Sequence, residues 1–201
     1  MVTIQKLLAD NFGVLKTSVA KEFGIHSQTL KRYVEKGLLF QEGNGVYSDA
    51  QLGVNEFYLV QQKYPQGIFS RKTALSIYGL NDEYNFEYDL TFKRGYHNQS
   101  FKKNFIRPHF STDIFFDLGK ETYQLYGGEM ISIYNIERTL VDIWNPRYGY
   151  DKETKEVAVL RIFSNREYKI DMKKLVEYGE KFRIGKALYD FILEVEKDAA
   201  A

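Results

Sequence analysis

Apolar positions in the first fifty residues recur at helical spacing and are broken at short intervals by glycine. Ile4, Leu7 and Leu8 predict a first helix, and Val19, Ala20 and Phe23 a second, with Val19 and Phe23 on its apolar face. Gly24 marks a tight turn, Ile25 plugs the corner, and Leu30, Tyr33 and Val34 give the inner face of a third helix ended by Gly37. Leu38-Leu39-Phe40-Gln41 and Val46-Tyr47-Ser48 then read as two short strands around a Glu42-Gly43-Asn44-Gly45 turn. A helix is expected from Gln51 to Tyr64, stopped by Pro65-Gln66-Gly67. Ser70 is expected to cap a further helix carrying Ala74, Leu75, Ile77 and Tyr78, with Arg71 and Lys72 facing solvent. From Phe86 to Phe92 apolar and polar residues alternate, the mark of a half-buried strand. Tyr123–Tyr134 reads as a hairpin turning at Gly127-Gly128 and returning through Met130–Ile133. Beyond Asn135 the pattern is helical, most plainly in the stripe Ile184, Ala187, Leu188, Phe191, Ile192 and Val195.

These elements predict an α+β chain: a winged helix-turn-helix over residues 1–49, then a mixed α/β domain over 50–201 with a helical C-terminus. A helix-turn-helix needs a small residue where its helices approach, a turn glycine and an apolar corner, and Ala20, Gly24 and Ile25 occupy those places. With Leu30, Tyr33 and Val34 inward, Ser27, Gln28, Lys31, Arg32 and Glu35 point outward on the third helix. Gln28 suits adenine and Arg32 guanine. Lys21, Lys31 and Lys36 suit phosphates, with Asn44 at the wing. Glu35 suits cytosine or an i, i+4 pair with Lys31.

Charge tempers this picture. Residues 1–49 hold six basic and five acidic side chains, and the 201-residue chain has a net charge of +1. Tight specific DNA binding therefore calls for a dimer or cooperative binding at repeated half-sites. The alternative is a winged-helix adaptor that grips a protein partner without a specific DNA site. The absence of cysteine excludes disulfides and thiolate chemistry. Neither a signal pattern nor an apolar run of about 20 residues is present, so a cytoplasmic protein without a membrane partner is expected.

No acidic residue lies between Asp89 and Asp113, whereas Lys93, Arg94, Lys102, Lys103 and Arg107 do, interleaved with Tyr96, Phe101, Phe105 and Phe110. This stretch suits a phosphate-bearing partner, or is a solvated loop and strand face. His26, His97 and His109 lack metal-ligand spacing, and neither a phosphate loop nor a nucleophile elbow occurs. Asp89 followed by Lys93 matches a nuclease strand only loosely. No catalytic residue, metal or cofactor is expected.

The order of segments resembles the AbiEi antitoxins of abortive-infection systems. The resemblance is carried by the N-terminal pattern, by Gly67-Ile68-Phe69-Ser70-Arg71-Lys72-Thr73-Ala74-Leu75 with Tyr78-Gly79-Leu80, and by Glu137-Arg138-Thr139-Leu140-Val141-Asp142. It implies a bacterial phage-defence antitoxin of type IV that represses its own operon, binding inverted repeats in the promoter through the N-terminal domain. It further implies that the C-terminal domain counteracts a nucleotidyltransferase-like toxin without a stable complex. Physically, Arg138 and Asp142 are placed to pair across one helical turn.

Overall fold

The computed structural model describes residues 3–82, 86–165 and 168–200. Thr3 starts helix α1 (Ile4–Asp10), its hydroxyl accepting from Lys6 N at 3.2 Å. Helices α2 (Thr17–Glu22) and α3 (Ser27–Glu35) are joined by a turn in which Gly24 has φ +75° and Ile25 N reaches back to Ala20 O at 2.9 Å. A side chain at Gly24 would be strained in that region of φ. Ala20 and Leu30 are buried in one cluster with Ile4, Leu7, Leu8, Leu15, Leu39 and Tyr47. Val19, Ile25, Tyr33 and Val34 pack at its margin, as their spacing predicts. Phe23 departs from expectation and is 49% exposed. It is the C-cap residue of α2, where the backbone leaves helical geometry and turns the ring off the inner face.

Three antiparallel strands complete this region in the order β1-β3-β2: β1 (Val14–Lys16), β2 (Leu39–Gly43) and β3 (Val46–Asp49). The β2–β3 turn runs through Gly43, Asn44 and Gly45 at φ +88°, +53° and +71°, a left-handed run that glycine and asparagine tolerate. β1 was not expected from the sequence. Helix α4 (Glu56–Lys63) begins later than the predicted Gln51. Asp49 Oδ1 accepts from Gln51 N and Leu52 N, and Asn55 Oδ1 accepts from Phe57 N and Tyr58 N, so the helix can start only after Asn55.

A second sheet has the order β6-β5-β4-β8-β7, built from β4 (Ile68–Phe69), β5 (Tyr88–Lys93), β6 (Ile106–Ser111), β7 (Lys120–Gln124) and β8 (Met130–Tyr134). Strand β4 pairs antiparallel with β5 and parallel with β8, and β5 pairs parallel with β6. The remaining helices are α5 (Arg71–Ile77), α6 (Asp113–Phe116), α7 (Ile136–Trp144), α8 (Lys152–Ser164), α9 (Met172–Phe182) and α10 (Ala187–Ala200). The whole is a mixed α+β fold of ten α-helices and two sheets among the described residues. None of the described helices is long and apolar enough to cross a membrane.

Two compact units divide the chain: residues 1–67 with 122–131, and residues 68–121 with 132–201. The sequence boundary at residue 49 thus falls inside the first unit, which also takes in α4 and the tip of the β7–β8 hairpin. In the second unit Leu188, Ile192 and Val195 of the predicted stripe are buried on α10. Ile184 is buried ahead of the helix, and Ala187, its first residue, is exposed.

Two polar features of this unit depart from the sequence reading. Strand β5 is not half-buried: its polar positions Asp89 and Thr91 are buried along with Leu90 and Phe92. They are accommodated by hydrogen bonds, with Thr91 Oγ1 donating to Ser70 Oγ at 3.0 Å and Asp89 N to Thr73 Oγ1 at 2.8 Å. Ser70 is the N-cap of α5 by position, yet its hydroxyl makes no cap bond and donates instead to Asp89 O. Arg138 and Asp142 do pair on α7, both buried, with Nε 3.2 Å from each carboxylate oxygen. Arg138 Nη1 also donates to Phe115 O and Leu118 O at 2.7 Å, while its guanidinium lies 4.2 Å over both Tyr134 and Phe182. That side chain is a structural rivet, holding α7 to the segment around α6.

Candidate functional site

The outward face of α3 collects most of the residues singled out for DNA contact. Because Leu30 is pinned in the core, positions 28, 31, 32 and 35 turn away from it, and Gln28, Lys31, Arg32 and Glu35 are all exposed. Ser27 opens the helix and Lys36 caps its C-terminal end, both exposed. Lys21, on α2, is exposed as well. His26 is the N-cap of α3 and offers no side-chain hydrogen bond to it. The first amides of α3 therefore keep their capacity to bind an anion, helped by the helix dipole.

Acidic side chains in this unit are partly withdrawn from that face. Glu42 Oε1 accepts from Ser48 Oγ at 2.7 Å, across the hairpin, and Asp49 is occupied by the two amides after it. What remains on α3 is Lys31, Arg32 and Lys36 against Glu35, a local excess of positive charge that the net charge conceals. Arg32 Nη2 touches Thr29 Oγ1 only at 3.5 Å, so its fork stays available. Asn44 is exposed at the hairpin tip, and its amide Nδ2 donates to Lys63 O at 3.2 Å, tying the tip to the end of α4. Large apolar side chains also stand on the exterior of this unit, Phe23 and the 57% exposed Phe40 among them.

The predicted basic stretch in the second unit separates into two groups. Arg94, Lys102 and Lys103 are exposed, the lysines on a 3-10 turn, Lys102–Asn104, just before β6. Lys93 and Arg107 are not part of an unopposed patch. Lys93 Nζ lies 3.3 Å from Asp113 and 3.8 Å from Asp117, while Arg107 donates through Nε and Nη2 to Glu87 Oε2 at 3.0 and 2.6 Å. The stretch lacks acids in sequence, but β5 and α6 bring them beside it. Although burial works against the Arg107 charge, Glu87 and Asp89 outweigh it and hold its pKa above the ordinary arginine value.

Next to this pair, His109 Nε2 donates to Asp89 Oδ1 at 2.7 Å across the parallel β5–β6 register. From the sequence Asp89 entered only beside Lys93, as a loose match to a nuclease strand, and Glu87 was not considered as a site residue. Alternation along the strand gave no signal for Asp89, because Asp89 and Thr91 share a polar face that reads as a solvated one. Arg71 and Lys72 were expected in solvent and are instead half-buried, against Tyr148 and Tyr150. Among the described residues no group of three or more His, Cys, Asp or Glu side chains is arranged to hold a metal ion. Comparison with protein-family models and with curated proteins finds no match.

Proposed function

We propose that residues 1–49 act as a winged helix-turn-helix and that the protein is a DNA-binding transcriptional repressor of the AbiEi antitoxin kind. In this reading α2 and α3 are the helix-turn-helix, α3 enters the major groove, and the β2–β3 hairpin is the wing. The observation that carries it is the face of α3, where Gln28, Lys31, Arg32 and Lys36 all stand in solvent beside an uncapped helix N-terminus. Gln28 and Arg32 read base edges, while Lys21, Lys31 and Lys36 hold phosphates. The antitoxin role, the inverted-repeat operator and the toxin opposed without a stable complex rest on the resemblance of the two segments around Ser70 and Arg138.

The test is a gel-shift titration on the promoter fragment upstream of the protein's own gene, beside an unrelated fragment, at low and near-physiological salt. A discrete complex on the promoter alone, lost in Lys31→Ala/Arg32→Ala, is expected. Equal smearing on both fragments would overturn the repressor reading. That result would favour the second reading, a protein-docking adaptor, for which the exposed Phe23 and Phe40 rings speak.

A further inference from the structure

Away from the α3 face, four segments of the second unit bring their polar side chains to one place. Strand β5 contributes Asp89, β6 contributes Arg107 and His109, the start of α5 contributes Arg71 and Lys72, and the segment after α7 contributes Tyr148 and Tyr150. Arg71 is the unusual member. Its backbone sits at φ +53°, a left-handed conformation that costs a non-glycine residue energy and needs a reason. Its guanidinium lies 3.7 Å over the Tyr148 ring and near enough to the Tyr150 hydroxyl to act on its ionisation, yet its Nε–H is buried with no acceptor. A buried donor of that kind is costly unless something accepts from it.

The surroundings say what chemistry would satisfy it. Asp89 is bonded to His109 through Oδ1 and Glu87 to Arg107 through Oε2, and neither accepts from Arg71 Nε. Tyr150 carries an O–H that can donate. Burial, then the Asp89 charge, push its pKa up to about 12, so the phenol stays a neutral donor at physiological pH. Lys72 lies 5.9 Å from the Tyr150 ring centre, and Arg107, more than half exposed, keeps Nη1 4.0 Å from Asp89. The site thus brings several donors together, three of them on the cationic side chains of Arg71, Lys72 and Arg107.

We propose that this cluster binds a phosphate group, with Arg71 Nε–H and Tyr150 O–H donating to its oxygens and Arg107 and Lys72 supplying charge. Tetrahedral oxyanions suit donors that arrive from several directions, and guanidinium groups match phosphate oxygens in both geometry and charge. The phosphate belongs either to a free mononucleotide or to the 5′ end of a nucleic-acid strand. In the second case Lys102 and Lys103, on the turn just before the strand that carries Arg107, would add charge for the following nucleotides. The site is independent of the DNA-binding reading of α3.

The full chain is titrated calorimetrically, at low ionic strength, with inorganic phosphate, AMP, acetate, and a trinucleotide carrying either a 5′-phosphate or a 5′-hydroxyl. Saturable binding of phosphate and AMP, with acetate much weaker, is expected. Tighter binding of the 5′-phosphorylated trinucleotide than of AMP identifies a strand end as the source, and the reverse order a mononucleotide. Arg71→Gly removes the charged donor while allowing the left-handed backbone, and is expected to lower phosphate affinity about 10- to 100-fold. Tyr150→Phe keeps the ring and is expected to lower it about 3- to 10-fold. The proposal fails if the wild-type chain shows no saturable phosphate binding, if acetate binds as well, or if the 5′-hydroxyl trinucleotide matches the phosphorylated one. It also fails if Tyr150→Phe, folded by circular dichroism, binds phosphate as the parent does.

Discussion

On α3 and at its C-cap, Lys31, Arg32 and Lys36 stand in solvent on a helix held from beneath by Leu30, and among the described residues no carboxylate is paired with them. On β5, β6 and α7 the charged side chains are interlocked: Asp89 with His109, Arg107 with Glu87, Arg138 with Asp142 and two backbone carbonyls. The first arrangement leaves charge free to act on another molecule and contributes little to folding. Where the second is buried, at Arg138–Asp142 and at Asp89 beside His109, folding depends on each partner being present, because a buried charge that loses its partner is far costlier than an exposed one. The exposed Arg107–Glu87 pair contributes little. Mutations should therefore separate the two regions cleanly, with stability responding in one and binding in the other.

The largest effect is expected at Arg138. Arg138→Ala strands Asp142 in the interior and removes the donor to Phe115 O and Leu118 O, so it should destabilise the protein by about 3–5 kcal/mol. Urea denaturation followed by far-ultraviolet circular dichroism measures this, and a loss below about 1 kcal/mol would show that the pair is not a structural rivet. On the other side of the comparison, Arg32→Ala should leave the urea midpoint unchanged and cost about 1–3 kcal/mol in operator binding. A shifted midpoint with unchanged binding would reverse the roles assigned to the two regions.

Lys31 sharpens the same contrast through salt. If it meets a phosphate, Lys31→Ala should weaken binding to operator and unrelated DNA alike, and should flatten the slope of log K against log salt by about 1. A mutant that loses operator binding selectively, at an unchanged slope, would move Lys31 from phosphate contact to base readout.

The α3 face was legible in the sequence because one helical period fixes it: once Leu30, Tyr33 and Val34 face in, the outward residues follow. The i, i+4 pairing of Arg138 with Asp142 was legible for the same reason. Strands β1 and β4 were not, since three and two residues are too few to show a period, and pairing with β3, β5 and β8 creates them. The Asp89–His109 contact was hidden because its partners are twenty positions apart and meet only through strand register. Alternation along β5 was visible, but alternation says which residues share a face, not whether that face meets water. A network from Ser70, Thr73 and His109 made the polar face an interior one. For Arg71, nothing in residue type announces a left-handed backbone.

The smallest effect is expected where the second unit carries a committed charge at its surface. Asp151 precedes α8, where its Oδ1 accepts from Thr154 N at 2.7 Å and its Oδ2 from Thr154 Oγ1 at 2.8 Å. These bonds, the backbone one foremost, hold its pKa below the ordinary value of 3.8. A carboxylate whose folded pKa is depressed contributes stability that is complete above the unfolded value and is lost as pH falls through the folded one. Asp151→Ala should cost about 1 kcal/mol near neutral pH, the usual worth of an N-cap, and progressively less below about pH 4. Asp151→Asn keeps an acceptor for the same amide but cannot titrate, so it should recover most of the loss at neutral pH while removing this contribution to acid sensitivity. Urea midpoints for the three proteins at about pH 7 and about pH 3 separate the cap from the charge. If Asp151→Asn were as unstable as Asp151→Ala at neutral pH, the stabilisation would come from the negative charge at the start of α8 rather than from the hydrogen bonds it accepts.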